Sequence, residues 1–298
     1  MSRVLVFGGS GFIGRQVCRQ LEQDPRAGGL TTPGRAEVDL VHGGVDDLVA
    51  LLRAARPDVV VNCTGSLSGT GHDLVAANTA VTAKLLDAIA VVRPAIRFVR
   101  LGSAGEYGPV PPGHPVGEDD PARPLSEYGL SHLAATALVE LNSAAGRVDG
   151  VTLRVFNPVG PGLHEDTVLG RAAALIRHAQ HTGSGEISMG PLSAHRDFVD
   201  VRDVAAGVVA AAFAPRLDAR VVNLASGRAV PTRRVVELLA EAAGFDGDIR
   251  EEAAAPTRSA AVSWMRGDNS RAARMLGWVP VHELAESIKA VWAGGDGR

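Results

Sequence analysis

The sequence predicts an α/β protein: a doubly wound parallel sheet followed by a smaller C-terminal cap. Three observations carry this prediction. Short apolar runs such as Val4–Phe7 and Val59-Val60-Val61 recur at intervals long enough for a helix between them. Strand and helix patterns alternate through the first half of the chain. A glycine-rich turn, Phe7-Gly8-Gly9-Ser10-Gly11-Phe12-Ile13-Gly14, joins the first run to the first helix pattern.

Taken in order, Val4–Phe7 reads as a strand and Phe12 to about Gln23 as a helix. Gly29–Thr32 is a weak strand and Glu37–Val41 a second short one, because apolar and polar residues alternate there. Val45–Ala55 is helical until Pro57 stops it. Asp58–Cys63 is a buried strand, Leu74–Val91 a long helix ended before Pro94, and Arg97–Leu101 a strand. Leu125–Ala145 is a helix and Val151–Phe156 a strand. The second half is less regular. Leu169–His181, Val204–Phe213, Arg233–Ala243 and Ala285–Trp292 read as helices. Ile187–Met189, Phe198–Val201 and Val221–Leu224 read as short strands. The expected division is a dinucleotide-type domain over 1–156, to which 194–225 returns, and a cap formed by 157–193 and 226–298.

Composition excludes several classes. The 298 residues carry 30 Lys+Arg against 33 Asp+Glu, a net charge of −3 that gives no pull towards nucleic acid or an anionic membrane. Aromatics are only 4%, too few for a base-stacking platform. The longest weakly apolar run noted, Val204–Ala214, is shorter than the roughly 18 residues a membrane span needs. With no targeting segment and no CxxC pattern, Cys18 and Cys63 are expected to be buried thiols of a reduced, cytoplasmic protein. His178 and His181 have helical i,i+3 spacing without further ligands nearby, so they read as a solvated face and no metal site is expected. Trp264, Trp278 and Trp292 read as packing residues.

The glycine turn carries chemistry. Gly9, Gly11 and Gly14 fit GxGxxG, and Gly8, Gly11 and Gly14 fit GxxGxxG. Between a strand and a helix, such glycines let the backbone approach a pyrophosphate seated at the helix N-terminus. This is a Rossmann-type arrangement, with Gly8, Gly11, Phe12, Ile13 and Gly14 as candidate cofactor contacts. An NAD site usually adds an acid about 20 residues further on. Here the stretch reads Thr31-Thr32-Pro33-Gly34-Arg35, with no acid and with Arg35 at the expected strand end. A guanidinium fork suits a 2′-phosphate, so NADP(H) is expected in preference to NAD(H), with Arg15 as a second basic group.

Two further segments complete the pattern: Leu101-Gly102-Ser103-Ala104-Gly105-Glu106-Tyr107-Gly108 at a strand end, and Glu127-Tyr128-Gly129-Leu130-Ser131-His132 on a helix. With Asn78 and Arg196-Asp197-Phe198-Val199-Asp200-Val201, they make the chain resemble the extended short-chain dehydrogenase/reductase family over nearly its whole length. Within that family it resembles the nucleotide-diphospho-4-keto-6-deoxysugar reductases. The resemblance implies a catalytic Ser103 and Tyr128, Asp39 and Leu40 beside the adenine, and Asn157, Arg196 and Arg258 on a nucleotide-diphosphate sugar. After Arg258 the family's proline is replaced by Ser259. It also implies a homodimer through the helices containing Leu74–Val91 and Leu125–Ala145.

One position departs from the family. Its tyrosine is followed four residues later by lysine, and this chain has His132 there. Residues i and i+4 share a helix face, so His132 still lies beside Tyr128 and can contact the cofactor. The implied reaction is reduction of a 4-keto group, with Tyr128 giving the proton and Ser103 holding the oxygen. A mostly neutral His132 would leave Tyr128 protonated, which favours reduction over oxidation. A 4,6-dehydratase needs an Asp-Glu pair where this chain has Ala104 and Gly105. A 4-epimerase and a non-catalytic dinucleotide-binding relative are the alternative readings.

Overall fold

The structure, a computed structural model, describes residues 1–252 and 262–294. Six parallel strands form the central sheet: β1 (Ser2–Phe7), β2 (Ala27–Thr31), β3 (Val59–Asn62), β4 (Arg97–Ser103), β5 (Asp149–Val155) and β9 (Val221–Leu224), in the order β2-β1-β3-β4-β5-β9. Alternate residues of β1 face opposite sides, as the pleat requires. Val4 and Val6 enter one core with Val17 of α1 (Gly14–Gln23) and Val204 and Val208 of α7 (Val201–Ala212). Leu5 and Phe7 enter the other with Leu48 and Leu52 of α2 (Val45–Ala55) and Leu85 and Ile89 of α4 (Val81–Val92). α5 (Glu127–Ala144) completes this second layer through Val139. Because both faces are covered, β3 and β4 are buried at every position, which explains the apolar run Val59-Val60-Val61 of β3.

Two smaller sheets lie beyond β5. β10 (Ala229–Pro231), β8 (His195–Asp200) and β6 (Asn157–Val159) form one, and β11 (Asp248–Glu251) pairs with β7 (Glu186–Met189) in the other. α6 (Val168–Thr182), α8 (Thr232–Ala243) and α10 (Leu284–Ala293) pack around Ile176, Val236, Leu239 and Ile288 as a separate core. α9 (Ser270–Leu276) returns to the main core, where Trp278 is buried and its Nε1 donates to Asp203 O. Trp264 and Trp292 are half-buried beneath Arg266 and Arg177.

Some expectations need correction. Glu37–Val41 is a turn, not a strand: the Asp39 carboxylate accepts the N–H groups of Val41 and His42 and closes it, so the sheet ends at β2. The first helix starts at Gly14, which leaves Phe12 and Ile13 in the preceding turn. The long helix begins earlier, as α3 (Gly71–Leu74), and passes through a π-helical turn (Val75–Ala80) into α4. This stretch of 22 residues, in which an 18-residue window reaches mean hydropathy 1.5, is by length and composition long and apolar enough to cross a membrane. Its apolarity has a local cause, since Leu85, Leu86 and Ile89 are buried against the sheet. Cys18 and Cys63 are half-buried free thiols rather than fully enclosed ones, and burial pushes both upwards.

Candidate active site

The glycine turn lies at the carboxyl end of β1, beside the point where the sheet order reverses between β2 and β3. Gly8 has φ +75°. A Cβ on Gly14 would sit 1.9 Å from Gly8 O, so only glycine lets the helix start against the turn. Gly11 N donates to Gly8 O and Arg15 N to Gly11 O, both at 3.0 Å. No side chain caps α1 among the described residues; the Arg15, Gln16 and Val17 N–H groups bond backbone carbonyls of the turn, so the helix starts directly from the glycine turn. The cradle fits the pyrophosphate of a dinucleotide.

The adenine side is less complete. Arg35 is exposed in the turn after β2. Two residues on, Glu37 folds back and its carboxylate accepts Gly34 N at 2.7 Å, an acid that the strand-end reading did not anticipate. Asp39 is exposed and its oxygens serve the turn. The His42 backbone N–H, then the His42 ring, hold its carboxyl down at about 2. Leu40 packs partly buried against the second core. Arg15 does not stay in the turn but donates to Pro161 O beyond β6.

Ser103 ends β4 and Tyr128 sits in the first turn of α5. Ser126 Oγ caps that helix by accepting Gly129 N at 3.1 Å. A Cβ on Gly129 would meet Gly105 O at 2.3 Å, so the helix approaches the 3₁₀ turn (Ala104–Glu106) as closely as backbone allows. A Cβ on Gly105 would meet Ser103 Oγ at 3.3 Å and the Tyr128 ring at 3.4 Å. The two side chains therefore close over one point. Ser103 Oγ accepts Gly105 N at 3.1 Å. The Tyr128 and His132 rings lie 4.6 Å apart between centroids. Asn78, in the π turn, accepts Ser66 N and donates to Ser66 O and Ser131 Oγ, tying the long helix to α5.

Behind this pair lies a charge cluster that motif reading missed. Arg100, 2% exposed, donates to Thr82 Oγ1, Thr136 Oγ1 and His132 Nδ1. Thr136 Oγ1 donates to Glu106 Oε2 at 2.8 Å, and Arg154 Nε reaches the same oxygen at 2.8 Å. Glu106 Oε1 accepts Ser103 N at 3.0 Å, so the cluster also fixes the end of β4. Burial lowers the Arg100 guanidinium to about 10, which leaves it cationic at neutral pH. The signal was present in Arg97-Phe98-Val99-Arg100-Leu101, a strand with two arginines and no exposed face.

In the cap, Asn157 donates its side-chain N–H to Asp197 O at 2.8 Å. Arg196 is half-buried and donates to the carbonyls of His195 and Val262, and burial lowers its guanidinium. Asp197, 0% exposed, gathers the N–H groups of Ser226, Gly227 and Gly267. Asp200 binds Arg202 and Ser287. Arg258 lies outside the described residues. His178 and His181 are exposed on α6.

With this geometry the chain can be set beside known proteins. It is 38% identical to a dTDP-6-deoxy-L-talose 4-dehydrogenase (NAD(P)(+)) of Kitasatospora kifunensis, over 98% of this chain and 95% of that one. It is 27% identical to a GDP-6-deoxy-D-mannose reductase of Pseudomonas aeruginosa, over 99% and 98%. The solved structure of RMD from Pseudomonas aeruginosa, complexed with NADPH, superposes with a TM-score of 0.86 at 25% identity, covering 99% of this chain and 97% of that one. Residues 4–225 match the profile of the NAD dependent epimerase/dehydratase family. On that match, and on the extended short-chain dehydrogenase/reductase residues it spans, the chain belongs to this family.

Proposed function

We propose that this protein is an NADPH-dependent reductase of the 4-keto group of a nucleotide-diphospho-4-keto-6-deoxyhexose. The observation that carries the reading is the convergence of Ser103 Oγ and the Tyr128 ring over Gly105, at the carboxyl edge of β4. The relative named as a 4-dehydrogenase of a 6-deoxyhexose nucleotide supports the position of the chemistry.

Gly8, Gly11, Phe12, Ile13 and Gly14 hold the pyrophosphate, His132 and Tyr128 flank the nicotinamide end, and Arg35 meets the 2′-phosphate. The reduced nicotinamide, when bound, supplies a hydride for the carbonyl carbon. Tyr128 gives its phenolic proton to the carbonyl oxygen, which balances the hydride and yields a secondary alcohol. The Gly105 N–H occupies a lone pair of Ser103 Oγ. That leaves its hydroxyl proton to bond the same oxygen and stabilise charge as it develops. Asn157 and Arg258, from a cap made of 157–193 and 226–298, hold the sugar nucleotide together with Arg196 of the segment 194–225 beside it. The protein is cytoplasmic and its oligomer a homodimer, the dimer supported by Val75, Val91, Leu130 and Leu141 exposed on the long helix and α5.

The test is turnover of dTDP-, GDP- and UDP-linked 4-keto-6-deoxyhexoses with NADPH, followed by loss of reduced cofactor and by product analysis. Reduction is expected with at least one, strongest for dTDP, and Tyr128→Phe is expected to remove it. Activity retained by that variant overturns the assignment of the acid. NAD(H) retained through purification, with no net consumption of reduced cofactor, identifies an epimerase instead.

A further inference from the structure

His132 Nδ1 lies 2.9 Å from Nη2 of Arg100. A guanidinium has donors and no acceptor, so the imidazole presents a lone pair at Nδ1. Its single proton is then on Nε2. Protonating Nδ1 would set N–H against N–H and put two like charges in contact, at a place where His132 is 7% exposed and Arg100 2%. Burial penalises that arrangement further.

Among the described contacts, His132 joins a cluster of charged and polar groups through Tyr128 and Arg100. On its own helix there is Tyr128. From β4 comes Arg100; from the 3₁₀ turn, Glu106; from β5, Arg154. From α4 the Thr82 hydroxyl accepts from Arg100, and from the π turn Asn78 donates to Ser131 on the same helix as His132. One carboxylate thus faces two guanidiniums, and the cluster keeps one positive charge in excess. Arg100 bonds the imidazole whose centroid is 4.6 Å from that of the Tyr128 ring, and ionised Tyr128 in turn favours charged Arg100.

We propose that Arg100 is the positioning residue of this site: it locks His132 as the neutral Nε2–H tautomer and places a buried positive charge behind Tyr128. The proposal rests on the reading of Tyr128 as the proton donor. It revises the expectation drawn from His132 alone, because the charge a neutral imidazole lacks is supplied one residue deeper. A guanidinium does not titrate near neutral pH, so the support it gives Tyr128 is constant where an imidazolium's would vary.

Nitrogen-15 NMR of the unmodified protein tests the tautomer without turnover. His132 is assigned by comparison with His132→Asn among the 9 histidines. The expected spectrum has Nδ1 bare and Nε2 protonated, unchanged from about pH 5.5 to about pH 8.5. A His132 that titrates near its ordinary value of about 6.5 overturns the proposal. Kinetics test the charge. His132→Lys alone puts an ammonium against Arg100 and is expected to slow reduction. The double variant Arg100→Met/His132→Lys is expected to recover at least about tenfold of that loss, the factor one unit of tyrosine pKa is worth. Arg100→Met alone is expected to add an ionisation near pH 6.5 to the reduction profile. If Arg100 only held the fold together, the double variant would be no faster than His132→Lys. A locked tautomer with no turnover on any sugar nucleotide would sink the reductase reading and leave the tautomer assignment standing.

Discussion

Gly14→Ala gives the sharpest test of the cofactor cradle. The added Cβ lies 1.9 Å from Gly8 O, 2.8 Å from Gly8 C and 3.0 Å from Gly9 Cα. All three are backbone atoms, so no side chain can swing aside. Ordinary contact begins at 3.4 Å, so turn and helix must part by about 1.5 Å. That movement strains the bonds from Gly11 N to Gly8 O and from Arg15 N to Gly11 O. Overpacking of this kind costs about 1–3 kcal/mol of stability. Each charge-assisted bond to a phosphate that is lost costs about 1.5–3 kcal/mol more in binding, roughly tenfold to a hundredfold in affinity. Gly11→Ala is the comparator, because its Cβ would meet only Gly8 O, at 3.3 Å. Urea unfolding of the ligand-free protein and fluorescence titration with NADPH read the two effects separately. Gly14→Ala is expected to lose both stability and affinity, and Gly11→Ala mainly affinity. A Gly14→Ala protein with unchanged unfolding and with NADPH affinity within about twofold would refute the cradle.

Two other outcomes follow from named contacts. Arg35→Ala should weaken NADPH binding by about 1.5–3 kcal/mol and leave NADH nearly unchanged; equal affinity of the unmodified protein for both cofactors would contradict it. Arg202→Gln should destabilise the protein by about 1–3 kcal/mol at neutral pH. Burial opposes ionisation of Asp200, but its bonds to Arg202 and Ser287 outweigh burial and hold the carboxyl below its ordinary range. A depressed carboxyl stabilises the fold above its unfolded value of about 3.9, and the benefit disappears as pH falls through the lower folded value. The gap between variant and unmodified protein should therefore be full near pH 7 and close in acid, which unfolding across a pH series would show.

The main sheet was legible because strands buried on both faces must be continuously apolar, as in Val59-Val60-Val61. Glu37–Val41 misled because Val38 and Leu40 alternate with polar neighbours as in a strand. Both do pack partly against the core, but Asp39 accepts the N–H groups of Val41 and His42 and turns the chain. β6 and β10 each contain a proline and span three residues, too short to leave a period. β11 is mostly polar because three of its four residues are exposed. Ser103 and Tyr128 were singled out by resemblance to the family, and the fold brings them together over Gly105 because both sit at the ends of strongly patterned elements. Arg100 was not, because its partners Thr82, Glu106, His132 and Thr136 are gathered by the fold rather than by a motif.

The π turn between Val75 and Ala80 holds a further consequence. A π turn carries one residue more than an α turn of the same reach, so this helix contains a register offset. Deleting a single residue there would allow an unbroken α-helix with better hydrogen bonds along its own axis. It would also rotate everything before the deletion by about 100° and shift it by about 1.5 Å. Asn78 could not then meet Ser66 and Ser131 together. The length of chain between β3 and α4 is therefore set by the neighbour it must reach, at some cost to the regularity of the helix itself. Shortening this segment is predicted to leave a helix more regular by itself and less well joined to the helix that carries Tyr128.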